Sequence, residues 1–180
     1  MRLFIGISLD YRVRDYLKAV QDVIKQSSYE GNYTKFDNFH ITLRFLGEIS
    51  SNEIDAMIDA IDIRLQEVSK FTIKIGDIGF FNQREKKLIF VKIIQGQEQL
   101  KNLYKNLNQC FNDLDISLKP QKFAPHITIA RQVTLNPHKN ASTPIPFYPK
   151  AILVSSITLF QSERIHGKLT YTPLYDFTLP

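Results

Sequence analysis

One tripeptide, His-Ile-Thr, occurs twice in this chain, and each copy lies in a run of residues typical of a β-strand. The first copy is residues 40–42, in NFHITLRFLGEI, and the second is residues 126–128, in FAPHITIARQV. Alternate side chains of a strand point to the same face, so the histidine and the threonine of each copy share a face while the isoleucine points to the other. Two such pairs in the two halves of one chain predict an internally duplicated architecture.

The rest of the sequence mixes helical and strand periodicities. Apolar residues recur at helical spacing over 11–27, about 50–69 and 97–113. Strand-like runs follow one another across short hairpin-like loops, such as NQREK at 82–86, which favours an α+β fold with antiparallel sheet over a doubly wound parallel fold. The predicted strands are 2–9, 39–46, 71–81, 87–94, 124–131, 151–162 and 170–179.

No segment of the sequence resembles a linker between independent domains. SSYEGNYT at 27–34 interrupts the periodic pattern and predicts turns, and the proline-containing polar stretch 132–149 predicts a loop. The chain has 180 residues, 43% of them apolar, which is enough for one domain with a packed interior. We therefore predict a single domain over residues 1–180.

Composition excludes several classes of protein. The formal charge of +5 attracts anions, although no run of lysine or arginine resembles a nucleic-acid-binding tail. Cys110 is the only cysteine, which excludes an internal disulfide and a cysteine-based zinc site. The N-terminus does not resemble a signal peptide, and no apolar run reaches the length of a membrane span. These features predict a soluble, cytoplasmic protein with no membrane partner.

The two histidines are the candidate catalytic residues. An imidazole titrates near neutrality, so His40 and His126 on one cleft would supply a general base and a general acid. The hydroxyls of Thr42 and Thr128 donate hydrogen bonds to phosphate oxygens, and Arg131 adds a planar, permanently charged donor. This set suits phosphoryl transfer that needs no metal and no other cofactor.

Two other interpretations of the motifs remain open. Each histidine alone is explained by a structural role in a strand with one satisfied hydrogen bond, although two copies in matching context argue against it. Metal binding by His40 and His126 is the second alternative. No neighbouring carboxylate or cysteine completes a ligand set, and threonine is a poor zinc ligand. We predict no metal site.

Residues near the motifs, and the histidines elsewhere, allow further predictions. Strand alternation places Arg44 on the face of the motif histidine, where it binds phosphate or is solvated, and Phe45 on the opposite face. Phe45 is either a stacking partner for an RNA base or a core residue. Tyr171 is predicted to be structural, and His138 and His166, in loop-like segments, are predicted to have no catalytic role.

Four blocks of the chain resemble the two-histidine (2H) phosphoesterase superfamily, and within it the bacterial and archaeal RNA 2′,3′-cyclic phosphodiesterases, also called 2′-5′ RNA ligases. RLFIGISL resembles the family's opening strand, NFHITLRFLGEI its first motif with the Phe-Leu-Gly tail, and FAPHITIAR its second motif with the trailing arginine. ITLFQSERIHGKLTYTPLYDFTL resembles the C-terminal block, in which a serine precedes Tyr-x-Pro-Leu. The resemblance covers nearly the whole chain.

The resemblance implies a bilobal fold with pseudo-two-fold symmetry, in which two antiparallel sheets form a central cleft and the helices lie outside. By this analogy His40 is the general acid for the ribose O3′ leaving group and His126 is the general base for water. Thr42, Thr128 and Arg131 hold the phosphate. Each role is an expectation carried over from the family.

The implied function is metal-independent hydrolysis of RNA 2′,3′-cyclic phosphate ends to 2′-phosphate ends, with 2′-5′ RNA ligation as the reverse reaction. Another 2H phosphoesterase, acting on a small cyclic nucleotide or a 2′-5′ oligonucleotide, is the enzymatic alternative. A non-catalytic RNA-binding module is the alternative of a different class, although binding alone needs no matched acid and base. The expected partners are RNA ends or small cyclic nucleotides, and the expected state is a monomer.

Overall fold

The computed structural model describes residues 1–114, 116, 118–139, 144–148 and 151–180. Within these residues the chain forms helices and strands, and several strands follow one another without a helix between them. The helices are α1 (Tyr11–Gln26), α2 (Ser51–Leu65) and α3 (Gln97–Asp113). The strands are β1 (Arg2–Ser8), β2 (Ser28–Tyr33), β3 (His40–Glu48), β4 (Phe71–Gln83), β5 (Lys86–Gln95), β6 (His126–Leu135), β7 (Ile152–Val154), β8 (Ser156–Ile165) and β9 (Lys168–Thr178).

The strands form two antiparallel sheets that are joined edge to edge. One sheet has the order β3-β1-β8-β9, and the other has the order β7-β4-β5-β6, with β2 also paired to β6. The sheets meet where β3 and β6 are bridged by a single residue pair, Ile41 with Ile127. The predicted α+β class, the antiparallel pairing and the presence of a sheet in each half are confirmed, with the addition that the two sheets are continuous through this pair.

The three helices pack on the sheet face that carries the motif isoleucines. Ile41 and Ile127 are fully buried and belong to the same hydrophobic core as Leu17 of α1, Met57 of α2 and Leu103 of α3. The motif histidines and threonines alternate with these isoleucines, so they point away from the helices. Among the described residues, none of the helices has the length and hydropathy needed to cross a bilayer.

Two helix starts follow from capping chemistry that is visible in the sequence. Asp10 precedes α1, and its side chain accepts a hydrogen bond from the backbone N–H of Val13 at 2.9 Å. Helix α2 begins with a capping box made by Ser50 and Glu53. The predicted helices 11–27 and 97–113 are confirmed within one residue at each end, whereas α2 ends at Leu65, four residues before the predicted end.

The prediction of turns at residues 27–34 is wrong, because most of this segment forms β2. Its residues are polar because β2 lies at the edge of the sheet, and the strand pairs with β6 through Tyr33 opposite Ala130 and Asn32 opposite Arg131. An edge strand needs no continuous apolar run, so its periodicity resembles that of a loop. The loop predicted at 132–149 begins only after Leu135, and part of it lies outside the described residues.

A bulge in β3 overturns the predicted orientation of two residues. Strand β1 pairs with Thr42 and next with Arg44, so Leu43 is an extra residue. The alternation reverses there, which leaves Arg44 only 4% exposed and Phe45 50% exposed. The prediction that Arg44 shares the face of the motif histidine and that Phe45 lies opposite is therefore wrong.

The same bulge occurs in β6 and brings an arginine to the cleft. Strand β5 pairs with Thr128 and next with Ala130, so Ile129 is the extra residue. Ala130 is buried and Arg131 is exposed. Arg131 consequently lies on the same side of the sheet as His126 and Thr128.

Candidate active site

The bridge between β3 and β6 sets the two motifs against each other in a crossed arrangement. In this antiparallel register position 40 lies opposite position 128, so His40 faces Thr128. By the same register His126 faces Thr42. Directly opposed residues of a sheet have Cβ atoms about 4.5–5.5 Å apart, and diagonal neighbours are about 7–8 Å apart. The two histidines are diagonal neighbours, a relation that leaves room for one phosphate between their rings.

Both ring nitrogens of His40 are hydrogen-bonded. Nδ1 lies 2.7 Å from the backbone carbonyl oxygen of Asn38, and Nε2 lies 2.8 Å from Oγ1 of Thr42. A carbonyl oxygen only accepts, so in the neutral ring Nδ1 carries the proton and the Thr42 hydroxyl donates to Nε2. The rings of Phe4 and Tyr171 pack against the imidazole with centroids 5.0 and 5.1 Å away. These contacts fix the ring and leave Nε2 directed at the cleft.

His126 is oriented by the same device. Its Nδ1 lies 2.6 Å from the backbone carbonyl oxygen of Ala124, which is again two residues before the histidine. Phe90 and Phe81 flank the ring, with centroids 5.0 and 5.9 Å away. Its Nε2 makes no hydrogen bond to any residue that the structure describes. Nε2 of His126 is therefore open to a substrate, whereas Nε2 of His40 is shared with the hydroxyl of Thr42.

Asn38 connects His40 to the β8–β9 hairpin, a role that the sequence analysis missed. Its buried side chain donates to the carbonyl oxygen of Leu169 at 3.0 Å and accepts from the N–H of Tyr171 at 3.3 Å. Its own carbonyl oxygen holds His40. A polar residue two positions before the motif histidine was the available signal in the sequence.

A cavity of about 640 Å³ opens between the two halves of the protein at the start of β3. Its wall contains His40, Thr128 and Arg131, so the structure brings three of the five predicted catalytic and phosphate-binding residues to one cavity. Thr42 and His126 do not line this cavity and adjoin it through the crossed register. The remaining walls come from β2, the segment that follows it and the β8–β9 hairpin, which the sequence analysis did not assign to the site.

Both histidines are less basic than usual. Burial lowers the pKa of His40 to about 4; the hydrogen bond to Asn38 opposes this shift, and the charges of Arg131 and His126 add to it. Burial also lowers the pKa of His126, again with a contribution from the charge of Arg131. Both rings are therefore neutral near pH 7 in the free protein.

The remaining predicted residues lie around this centre or away from it. Arg44 donates to the carbonyl oxygen of Lys119 at 2.9 Å and ties β3 to the segment before β6. Tyr171 is half-buried and lines the cavity beside His40, and its structural role remains a prediction. His138 and His166 are exposed and do not line the cavity. Among the described residues, no group of three or more histidine, cysteine, aspartate and glutamate side chains is arranged to hold a metal ion.

A family model of the 2′-5′ RNA ligase superfamily matches residues 12–165 of the chain. The chain belongs to this superfamily. The predicted family is thereby confirmed, and at that level so is the prediction of an enzyme of the phosphodiesterase class.

Two relatives match this chain over nearly their whole length. The RNA 2′,3′-cyclic phosphodiesterase of Thermotoga maritima is 25% identical over 178 residues, which covers 98% of this chain and 94% of that protein. The RNA 2′,3′-cyclic phosphodiesterase of Escherichia coli is 28% identical over 182 residues, with coverage of 99% and 96%. The crystal structure of E. coli LigT complexed with 3′-AMP is similar, with a TM-score of 0.79, 26% identity and coverage of 99% and 97%.

Proposed function

We propose that this protein hydrolyses the 2′,3′-cyclic phosphate end of RNA to a 2′-phosphate end. The observation that carries the proposal is the crossed placement of two histidines, each with Nδ1 bound to a backbone carbonyl; Nε2 of His126 has no partner among the described residues, and Nε2 of His40 bonds only to the hydroxyl of Thr42. Two imidazoles on opposite sides of one phosphate supply the acid and the base that in-line displacement needs. The names of the relatives in this superfamily supply the substrate class.

In the proposed reaction His126 acts as the base and His40 as the acid. Nε2 of His126 takes a proton from water while the water oxygen attacks phosphorus. The bond from phosphorus to O3′ breaks on the far side, and Nε2 of His40 gives its proton to O3′. The products are a 3′-hydroxyl and a phosphate that stays on the 2′ carbon.

His40 has to be protonated to act as the acid, and the bound substrate has to stabilise this protonated form. Burial favours the neutral ring in the free protein. A cyclic phosphodiester carries one negative charge, and a negative charge beside an imidazole favours the protonated form. Binding of the cyclic phosphate would therefore raise the pKa of the ring next to it and place the proton where the leaving oxygen needs it.

Phosphate binding is assigned to side chains alone. The hydroxyl of Thr128 donates to one non-bridging oxygen, and that of Thr42 donates to another once His40 is protonated and no longer accepts its proton. Arg131 adds a charge-assisted bond as charge develops on phosphorus. The acid, the base and the hydrogen-bond donors for the phosphate are thus all supplied by protein side chains. We infer that hydrolysis requires no metal ion and no cofactor.

The same site would join a 2′,3′-cyclic phosphate end to a 5′-hydroxyl end as a 2′-5′ linkage if that hydroxyl attacked phosphorus in place of water. Nε2 of His126 would take the proton of the 5′-hydroxyl, the bond from phosphorus to O3′ would break, and His40 would again give its proton to O3′. The cyclic diester is strained, and part of its energy is retained in the new diester. Ligation, a cytoplasmic location and a monomeric state remain predictions.

The decisive experiment uses a short RNA ending in a 2′,3′-cyclic phosphate. It is incubated with the protein in EDTA and, separately, with Mg²⁺, and the products are separated by chromatography against 2′-phosphate and 3′-phosphate standards. We expect equal rates with and without EDTA and a 2′-phosphate product. A 3′-phosphate product would reverse the roles of His40 and His126, and loss of turnover in EDTA would contradict metal independence.

The two alternatives give different results in the same assay. A non-catalytic RNA-binding module would bind the RNA and leave the cyclic phosphate intact. A phosphoesterase for small cyclic nucleotides would turn over adenosine 2′,3′-cyclic phosphate faster than any oligonucleotide. We expect turnover of both substrates, with the oligonucleotide preferred.

A further inference from the structure

We propose that the cavity beside the motifs binds the RNA backbone on the 5′ side of the cyclic phosphate, through Lys35 and Arg164. This inference rests on the proposed function and narrows its substrate class to RNA ends longer than a single nucleotide. Neither residue belongs to the motifs or to the acid–base pair. The proposal is carried by the charge, the shape and the rigid supports of the cavity.

The charge of the cavity exceeds what one cyclic phosphate requires. Lys35, Arg131 and Arg164 all line it, and its described lining residues include no carboxylate. A nucleoside cyclic phosphate carries one negative charge, which Arg131 and the two threonines already match. The two remaining cations have no partner in such a ligand. An RNA end brings one further negative charge with each additional nucleotide.

Neighbouring acids do not neutralise these cations. Asp37, two residues from Lys35, pairs with Arg14 at 3.7 Å. Glu163, next to Arg164, accepts a hydrogen bond from Thr172 at 3.3 Å. Lys35 and Arg164 form no ion pair with any residue that the structure describes. The positive potential of the cavity is therefore available to an anionic ligand.

The guanidinium of Arg164 and the backbone of Lys35 are held in place before a ligand arrives. Arg164 donates to the carbonyl oxygen of Gly167 at 3.1 Å, within the tight turn that joins β8 to β9. His166 and Gly167 in this turn have φ of 50° and 76°, the left-handed pair that suits a two-residue hairpin. On the other wall the carbonyl oxygen of Lys35 accepts the N–H of Asn38 at 2.9 Å and closes a 3₁₀ turn. Rigid supports reduce the entropy lost when a flexible strand binds.

The shape of the cavity suits a chain that continues beyond the scissile group. Its volume of about 640 Å³ extends from His40 and Thr128, at the reacting centre, to Arg164 in the hairpin. Tyr33 and Tyr171 also line it and add aromatic surface. Single-stranded RNA sites commonly combine cations for the backbone with aromatic rings for the bases.

The first test compares two substrates in kinetics. The kcat/KM for a tetranucleotide ending in a 2′,3′-cyclic phosphate is divided by that for adenosine 2′,3′-cyclic phosphate. We expect Lys35→Gln and Arg164→Gln each to lower this ratio about tenfold, the scale of one charge-assisted bond. Arg12→Gln on α1 and Lys105→Gln on α3, both exposed and outside the cavity, should leave the ratio unchanged. An unchanged ratio in both cavity variants would overturn the proposal.

The second test measures binding without turnover and so separates this inference from the proposed function. The ligand is a 5′-fluorescein tetranucleotide ending in a 2′-phosphate, and its Kd is followed by anisotropy over a range of salt concentrations. We expect the double variant Lys35→Gln/Arg164→Gln to bind at least tenfold more weakly. The slope of log K against log salt should shrink by about 0.7 for each lost contact with a single strand. An unchanged slope overturns the backbone site, whereas absence of turnover with a normal slope effect overturns only the proposed hydrolysis.

Discussion

Phe45 and Arg131 hold equivalent positions in the two halves of the protein, each five residues after its motif histidine and two residues after a bulge. The bulges turn both side chains to the cleft face. One half thus supplies an aromatic ring where the other supplies a cation. The two ends of the pseudo-symmetric site therefore differ in chemistry, and we expect the phosphate at the Arg131 end and a base at the Phe45 end.

Substitution of Phe45 tests whether a base stacks at its end of the site. Phe45→Ala should raise KM for an RNA cyclic phosphate about tenfold with little change in kcat, because stacking on a base contributes about 1–3 kcal/mol to binding. Phe45→Tyr should retain the wild-type KM. Phe80→Ala is a matched control, since Phe80 is 55% exposed and is covered by Lys87. A normal KM in Phe45→Ala would exclude stacking at this position.

The two bulges also show what the sequence could and could not predict. The repeated tripeptide predicted two strands with histidine and threonine on one face, because two-residue alternation holds within each tripeptide. It could not predict Phe45 and Arg44, since one extra residue reverses every later side chain and leaves no mark in composition. The chemistry of arginine and the family resemblance predict that Arg131 binds the phosphate. The sequence does not predict the bulge that turns this side chain to the cleft.

Other features that the sequence did not predict have a different physical cause. The polar edge strand β2 resembles a turn in sequence, because only one of its edges is paired and its side chains stay in water. Lys35 and Arg164 are far apart in the chain and meet only because β2 and the β8–β9 hairpin close on the same cavity. Charges brought together by tertiary structure give no local signal in the sequence.

The pH dependence of kcat/KM should be bell-shaped with its maximum on the acidic side of pH 6.5. The two limbs follow the two histidines, and the pKa of each is lowered from its usual value by burial, that of His40 to about 4. Arg131→Gln removes a positive charge that lowers both pKa values, so the maximum should move to higher pH while its height falls. Rates with adenosine 2′,3′-cyclic phosphate between pH 4 and 8 provide the measurement. A wild-type maximum above pH 7 would contradict the lowered values.

The same burial links stability to pH. The folded protein holds His40 neutral down to about pH 4, whereas the unfolded chain protonates it near 6.5. The unfolded state therefore binds more protons between these values, and the stabilisation, complete above pH 6.5, is lost as pH falls through 4. Urea unfolding at pH 7.5 and 4.5 should show wild type losing on the order of 2 kcal/mol more than His40→Gln. The exposed His138→Gln should lose as much as wild type.

The two motif histidines should act as one unit. His40→Ala and His126→Ala should each lower kcat by on the order of 10²-fold or more, the scale of a lost general acid or base. The double variant should be little worse than the worse single variant. His138→Ala and His166→Ala, which alter exposed side chains outside the cavity, should keep normal turnover. Multiplicative losses in the double variant would indicate two independent roles.

Gly6 should tolerate no larger residue. A Cβ added there would lie 2.8 Å from the carbonyl oxygen of Ile41 and 3.3 Å from Cδ2 of His40. Gly6→Ala should therefore push β3 and the imidazole outward, cost about 1–3 kcal/mol of stability and lower kcat at least tenfold. Gly76→Ala is the control, because its Cβ would lie 2.5 Å from Cγ2 of the exposed Ile94 and outside the cavity, so this clash should cost stability and leave kcat unchanged. Thermal unfolding and turnover of the two variants make the comparison.

The single bridge between Ile41 and Ile127 makes the spacing of the reactive rings a property of backbone register. A slip of two residues along β6 would move one histidine by about 6.6–6.8 Å past the other, and a slip of one would turn it into the core. Side-chain substitutions elsewhere in either half cannot bring about such a displacement. Elements that neither pair at this junction nor line the cavity, such as α2 and β7, can therefore be lengthened or redesigned as long as the few backbone atoms at the junction keep their pairing.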